Sequence, residues 1–488
     1  MNAFDYFFEN SKSLKKDFLL GPKEQISYPE LYEKSMKVAA FLKGATQKDE
    51  KLLLLSYNSI FFLVTYLGIL KSGRICVPLN PDIEESNLNY IREECKSTII
   101  FVEPKLINRQ NFEDYTVISD METLSANENI SNTAADDYFN SEDCAEIIFT
   151  SGSTGIPKGV MISHKNLIAN TESIIEYLQL TSDDIMEVVL PFYYCYGLSL
   201  LHTHLRVGGS IVLNNTFIFL GSVLNDLKKY KCTGFAGVPS HFQILLRKSE
   251  SFKKDTFPHL KYVTQAGGKL HTIFIKEFME AHPEIDFYVM YGQTEATARL
   301  SYLPIEFLKS KLGSIGRGIP GVELKVVDPL GELIKPGEVG EIIARGNNIM
   351  TGYLNDADST LQTIRDNWLY TGDLGTIDED GFIYLTARQK EIIKVGGKRI
   401  SPKEIEETIV SIPEVIDCTI FAVDDDLLGE AVKAIIIVDR SQLEVITPNK
   451  IKEHCSGKLA SFKIPQIIEI KDHVNISTTG KKIKSKLK

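Results

Sequence analysis

Short apolar runs alternate with stretches of helical periodicity through the first 300 positions of the chain. The segments 97–102 (STIIFV), 145–150 (AEIIFT) and 210–214 (SIVLN) have the length and β-branched content of buried strands. The segments 165–180 and 221–230 carry apolar residues at three- and four-residue spacing, as a helix with one buried face requires. The apolar stretch 52–70 approaches membrane-spanning length, but Ser56, Asn58 and Ser59 interrupt it. It divides into a buried strand followed by a buried helix, and no stable membrane insertion is expected. Such alternation predicts parallel sheets covered by helices.

Between about 311 and 387 the pattern changes. Alternating segments (VELKVVD, GEIIARG, GFIYLT) separated by PLGE, KPGEVG and DEDG turns predict a small antiparallel β unit. Beyond Arg388 a mixed stretch holds a helix opened by Ser401-Pro402 and an apolar strand at 431–438. The expected fold is α/β, with a large N-terminal domain, 1–388, made of two α/β lobes and a small β-barrel-like unit at about 311–387. A mobile, smaller α+β cap, 389–488, completes it. The joint at 388–390 is short and polar, which suits a hinge better than a tether.

Composition narrows the function. A length of 488 residues exceeds what one core fills. A net charge of −11 argues against nucleic acid or an anionic membrane as partner. The sign is uneven, since 451–488 carries nine lysines against Glu453, Glu469 and Asp472. That island reads either as a solvated tail or as a surface for anionic ligands. Seven cysteines without a C-x-x-C pair point to a reducing, cytoplasmic setting and away from disulfides or a zinc site. The first residues show no cationic start and apolar core of a signal peptide. Ser485-Lys486-Leu487 looks like a peroxisomal address, but Lys488 follows it and that signal must be terminal.

The strongest chemical signal is the segment 150–159, directly after an apolar strand. Thr150, Ser151, Ser153 and Thr154 supply hydroxyls, Gly152, Gly155 and Gly159 let backbone N–H groups approach an anion, and Lys158 adds a cation. It is not a Walker A loop, because Gly159 stands where that motif needs Ser or Thr after Lys. Gly316–Gly321 matches G-x-G-x-x-G, yet Pro320 and the strand that follows exclude a helix opening there. His202 and His204, two apart, are too few for a metal site and read as sheet or loop residues.

The segment 150–159 resembles the phosphate-binding signature of the adenylate-forming superfamily: acyl-CoA synthetases, aryl-CoA ligases, peptide-synthetase adenylation domains and beetle luciferases. Further segments match in order from 26 to 481: 26–31 (ISYPEL), 71–81, 291–295 (YGQTE), 313–317 (GSIGR), 370–374 (YTGDL), 388–394 (RQKEIIK) and Gly480-Lys481. The resemblance implies ATP and Mg²⁺ as co-substrate and cofactor, a small carboxylic acid, and a thiol acceptor on CoA or on the phosphopantetheine of an acyl carrier protein. It implies that Glu295 binds Mg²⁺ and that Thr294 meets the α-phosphate. Tyr291, Gly292 and Gln293 lie by the nucleotide, and Gly267, Gly268 and Lys269 belong to the loop flanking adenine. Asp373 and Arg388 are the matching ribose contacts. Lys481 is the cap lysine that reaches the α-phosphate on closure, Lys390 the hinge, and Lys394, Gly396 and Gly397 the thiol side.

These roles suit the chemistry. Attack of a carboxylate on the α-phosphorus brings two anions together, so the site must supply cations and oriented donors. Three departures from the family pattern stand out. Asn475 replaces a common proline, Lys482 replaces an apolar residue, and Tyr194 sits where many relatives have histidine. The acyl wall is expected from Tyr194, Tyr196, Phe235, Val238 and Ala296. The stretch 190–194 (LPFYY) lacks the aspartate that holds an amino-acid ammonium, which favours an aliphatic or aryl acid. Loading of a carrier protein with an amino or aryl acid, luciferase-like oxidation of the adenylate and silent nucleotide binding remain as alternatives.

Overall fold

A computed structural model describes residues 1–120, 139–151, 156–388, 391–395, 398–425 and 429–472. Two large sheets form the first part of the chain. In one, Lys51–Leu55 lies between Ile75–Leu79 and Ile99–Val102, all parallel, with Thr116–Ile118 at one edge. Cys144–Ser151 joins the other side and turns back antiparallel into Pro157–Ser163, and Gly352–Tyr353 closes that edge. The two ends of the glycine–hydroxyl segment thus lie on paired antiparallel strands, with Thr150 opposite Lys158.

The second sheet orders Arg317–Gly318, Ser301–Tyr302, Asp286–Tyr291, Tyr262–Gln265, Gly234–Gly237, Ile185–Val188, Ser210–Leu213, Asp17–Leu20 and Ile26–Ser27. Its centre is parallel and its ends are antiparallel. The apolar stretch at 52–70 resolves as expected into a strand and the helix Ile60–Ser72. The Ser59 hydroxyl caps that helix by accepting from Phe62 N–H, and Gly73 ends it in the left-handed region. Nearly every residue of the helix is buried in the main core, where it packs against the helix Tyr28–Ala45. Among the described residues no helix is long and apolar enough to cross a membrane.

One expectation fails here. His202 and His204 lie on the helix Cys195–Val207, not on a strand or loop. That helix is buried on almost all sides, so it lacks the polar stripe by which a helix announces itself. His202 stacks on Phe7 with ring centroids 4.6 Å apart. Its Nε2 lies 2.7 Å from the Tyr66 hydroxyl, which donates to Glu146 at 2.8 Å.

The antiparallel unit is a sheet of Val322–Val327, Gly340–Gly346, Trp368–Ile377, Ile364–Arg365 and Ile383–Arg388. The smaller C-terminal part pairs Gly429–Val438 with Val415–Asp425, Ile393–Val395 and, in parallel, Ile467–Lys471. The helices Pro402–Val410 and Pro448–Ser456 accompany it. Its core is continuous with that of the second sheet, where Gln243 donates to Asp417 at 3.1 Å and Thr272 to Glu407 at 2.6 Å.

Burial raises the Glu146 carboxyl from 4.5 to about 7. Its folded value lies above its unfolded one, so the unfolded chain releases a proton that the folded chain retains, and stability falls as pH rises from about 4.5 to 7. Glu146→Gln is expected to raise stability at pH 8, by up to about 3 kcal/mol, and to change little at pH 4.5. Thermal melts of both proteins across that range check it.

Candidate active site

Parallel strands whose carboxyl ends share one edge bring together the loops that follow them, and open α/β sheets meet their ligands there. In the second sheet Ala236 is in register with Val188, Gly237 with Gln265, and Gln265 with Val289. The segments after these strands, 190–197, 238–241, 266–269 and 292–297, therefore converge although they are far apart in sequence.

The last of them carries Glu295. Gly292 is needed at its start, because a Cβ there would lie 2.0 Å from the Ala298 carbonyl oxygen. Thr294 and Ala296 are buried in a short 3₁₀ turn. Thr297 then takes φ 64°, ψ −62°, and Ala298 N–H donates to the Ala296 carbonyl at 2.7 Å. This is a γ-turn of the rare positive-φ kind, costly for a β-branched residue. Surrounding groups hold it. The Thr297 hydroxyl donates to the Asn348 carbonyl at 2.7 Å, and Asn348 Nδ2 donates to the carbonyls of Arg299 at 2.7 Å and Ala296 at 3.3 Å.

The segment 348–354 then continues across the gap between the lobes. Met350 N–H donates to the Glu295 carbonyl at 2.9 Å, Thr351 N–H to Met161 at 3.0 Å, and Leu354 N–H to Gly159 at 2.8 Å. Tyr353 pairs with Val160, and its hydroxyl donates to Glu295 Oε1 at 2.9 Å. One extended stretch therefore ties the hydroxyl-rich hairpin to the Glu295 turn. Burial and the neighbouring Glu295 push the Tyr353 hydroxyl well up, which keeps it a donor.

Asp373 is a second hub. It is 5% exposed and sits opposite Arg388 on adjacent antiparallel strands, so their fifteen-residue separation is a hairpin register. Arg388 Nε donates to Oδ1 at 3.0 Å, and the Tyr291 hydroxyl donates to Oδ2 at 2.7 Å. Asp373 holds the guanidinium above its ordinary range, while burial and then Asp373 raise the Tyr291 phenol. Each carboxylate oxygen keeps a lone pair for a further donor.

Other expected residues lie as follows. Lys158 reaches Asp356 at 3.0 Å and also the Ser359 hydroxyl, with its Nζ 5.1 Å from the Tyr353 ring centre. Gly267, at φ 83°, and Gly268 form the turn after Tyr262–Gln265, while Lys269 turns away to Glu407, 3.8 Å off, and to the Leu385 carbonyl at 3.5 Å. Gln293 precedes the Glu295 turn in extended conformation. Lys394 is an exposed residue of Ile393–Val395, and its N–H donates to Glu430 at 2.5 Å.

Tyr194 begins the helix Cys195–Val207, and burial pushes its phenol up; Cys195, Arg388, Glu295 and Arg299 also face it electrostatically. Tyr196 is fully buried and donates to the Thr264 carbonyl at 2.9 Å. Val238 and Ala236 share the core that contains Tyr196. Phe235 departs from the expected wall. Strand alternation turns it to the other face, where it packs edge-on to Phe242 with centroids 5.9 Å apart. Gly152, Ser153, Thr154, Gly155, Lys390, Gly396, Gly397 and Lys481, with the departures Asn475 and Lys482, lie outside the described residues, as does the Ser151 side chain.

Sequence reasoning missed Asn348, Tyr353 and Arg299. The polar run Gly346-Asn-Asn348 ahead of a short strand was the available signal for the first two. Arg299 is the one charge in the otherwise apolar and hydroxylic stretch 296–302.

The sequence model of AMP-binding enzymes matches residues 8–354, and that of the AMP-binding enzyme C-terminal domain matches 404–481. The chain belongs to the AMP-binding enzyme family and, within it, to the AMP-forming acid–thiol ligases. A putative acyl-CoA synthetase, YngI of Bacillus subtilis, is 32% identical over 84% of this chain and 74% of its own. ATP-bound MatB from Rhodopseudomonas palustris superposes with a TM-score of 0.88 at 27% identity, covering 100% of this chain and 98% of its own. The anthranilate CoA ligase AuaEII in complex with anthranoyl-AMP gives 0.89 at 25% identity, covering 100% and 96%.

Removing the Asn348 amide leaves the carbonyls of Ala296 and Arg299 short of donors. Asn348→Ala is expected to cost ~1–3 kcal/mol and lower the melting midpoint, whereas Asn347→Ala, whose side chain makes no such bonds, changes little. Thermal and urea melts of the two variants compare them.

Proposed function

We propose that this ligase binds ATP and a carboxylic acid across the shared carboxyl edge and joins them as the acyl adenylate. A carboxylate oxygen attacks the α-phosphorus, the bond from that phosphorus to the bridging oxygen breaks, and pyrophosphate leaves. The thiol of CoA then attacks the acyl carbon, losing its proton, and AMP departs. The observation that carries this reading is the convergence of Asp373, held by Tyr291 and Arg388 at 2.7 and 3.0 Å, with the Glu295 turn. Asp373 and Arg388 take the ribose, Tyr291 and the Gly267–Gly268 turn flank adenine, and Thr294 with Lys158 and the glycine–hydroxyl segment meets phosphate.

Glu295 suits Mg²⁺. One oxygen accepts from Tyr353 and the other from no described group, and the ion shares few carboxylates with substrate phosphates. Among the described residues no cluster of three or more ligating side chains occurs, so the metal would arrive with the nucleotide. Bound there, Mg²⁺ would neutralise phosphate charge. The cap, 389–488, turns about Lys390, bringing Lys481 to the α-phosphate for the first step and Lys394, Gly396 and Gly397 to the thiol for the second.

The acid is aliphatic or aryl rather than an α-amino acid, since the wall at 190–194 offers no carboxylate to an ammonium. CoA is favoured as acceptor by the relatives' names, and a carrier-protein phosphopantetheine is the second candidate. Seven free thiols support a reducing, cytoplasmic setting.

Pyrophosphate release should require both ATP and a cognate acid, and mass analysis should find the acyl group on CoA. Lys481→Ala is expected to slow adenylation by at least ~10²-fold, and an unchanged rate would remove that lysine from its role. Tyr353→Phe should raise the Mg²⁺ concentration for half-maximal activity by ~10-fold, because Glu295 loses the donor that orients it.

A further inference from the structure

Arg299 is 2% exposed, lies four residues beyond Glu295, and leaves the strained turn at Thr297 pointing inward. Its guanidinium carbon stands 3.9 Å from the centre of the Tyr196 ring. Nε donates to the Met290 sulfur at 3.4 Å, and one terminal nitrogen donates to the Ala298 carbonyl at 3.3 Å. Tyr177 also feels its charge and shares a hydrogen bond with it. Among the described residues no carboxylate lies within ion-pair distance of it.

Guanidinium does not deprotonate in proteins, so the charge stays. A ring face, a thioether, a phenol and one carbonyl are all neutral groups and compensate such a buried charge weakly, and a buried cation without a counter-charge is costly. The other buried arginine among the described residues finds stronger oxygen acceptors. Arg74, 4% exposed, bonds the Thr46 hydroxyl and backbone carbonyls. The backbone of Arg299 is fixed as well, since its carbonyl accepts from Asn348 at 2.7 Å and from Asn170 at 3.2 Å. A cation fixed so firmly stands against the Tyr196 ring and acts electrostatically on Tyr194, the two aromatic residues expected to line the acyl group.

We propose that Arg299 recognises a second carboxylate at the far end of the acid, so that the substrate is a short dicarboxylic acid activated at the end nearer Glu295. This rests on the ligase reading above. The guanidinium presents paired donors to the distal carboxylate, and the Tyr196 face behind it excludes water. An α-ammonium would be repelled by the same charge, and a long alkyl chain would have to bury the cation against methylenes.

The test measures acid-dependent pyrophosphate release for α,ω-dicarboxylates of three to six carbons, each beside the monocarboxylate of equal length, with benzoate and octanoate included. At the best length the dicarboxylate should exceed its monocarboxylate in kcat/KM by at least ~100-fold. Arg299→Leu should remove that preference, mostly through KM, and leave the monocarboxylates within ~3-fold or improve them. Arg299→Lys should restore part of it. A wild-type preference for monocarboxylates at every length would overturn the proposal, as would an equal loss for both acids in a folded Arg299→Leu protein. Should Arg299→Leu not fold, the wild-type acid series and Arg299→Lys decide the matter. Release with neutral acids only would sink this inference and leave the ligase reading standing, whereas no release with any acid would remove both.

Discussion

The site depends on a single extended segment, 348–354, that bonds to both lobes at once. Through Asn348 and the Met350 N–H it holds the turn that carries Glu295, and through Tyr353 and Leu354 it lies along the hairpin rich in glycine and hydroxyls. Most of these contacts are backbone hydrogen bonds, and loss of the Asn348 bonds would leave the carbonyls of Ala296 and Arg299 short of donors. The separation between the paired strands Cys144–Ser151 and Pro157–Ser163 and the Glu295 carboxylate is thereby held by hydrogen bonds. Without that strap, the two halves of the site would belong to independently shifting layers.

Strain concentrates where this strap grips hardest. Thr297 occupies a conformation that β-branched residues avoid, and the bonds from Asn348 and Asn170 to its neighbours are what make it tolerable. The sharp reversal has a geometric result, because it sends Glu295 toward the hairpin and Arg299 into the interior within five residues. On the proposed reading, charge development on phosphorus and recognition of the acid would be handled by the two ends of one rigid turn. Rigid donors aimed in advance need no reorganisation during the reaction, which is the larger part of what such a site contributes to rate.

In the proposed reaction Asp373 plays the corresponding part on the nucleotide side. Its carboxylate is buried, yet Arg388 and Tyr291 satisfy it from two directions, so it stays oriented toward the open edge. Arg388 is also the last described residue before the joint to the smaller part of the chain. Lys269 and Thr272 reach Glu407 of that part, so the loop beside the predicted adenine site and the C-terminal helix Pro402–Val410 share polar contacts. Movement of that part would exchange these contacts for others, and its core packing against Gln243 would open with them.

Much of this was readable along the chain. Period-two and period-three-to-four patterning marked the parallel sheets and the antiparallel unit. The glycine–hydroxyl segment, YGQTE and the Asp373–Arg388 spacing marked the candidate chemistry, because each is local in sequence or is set by one turn. The buried helix with His202 escaped, since a helix wrapped in protein loses its polar face. Phe235 was misplaced because strand alternation fixes which residues share a face but not which face meets the ligand. Asn348, Tyr353 and Arg299 acquire meaning only from tertiary structure: a carbonyl across a turn, a carboxylate on the other sheet, and the absence of any carboxylate beside a buried guanidinium among the described residues. The residue types needed for acyl adenylate chemistry were written in the sequence. Which of them face one another, and which charge is left waiting for a ligand, followed only from strand register and packing, because those bring together atoms that the chain itself keeps far apart.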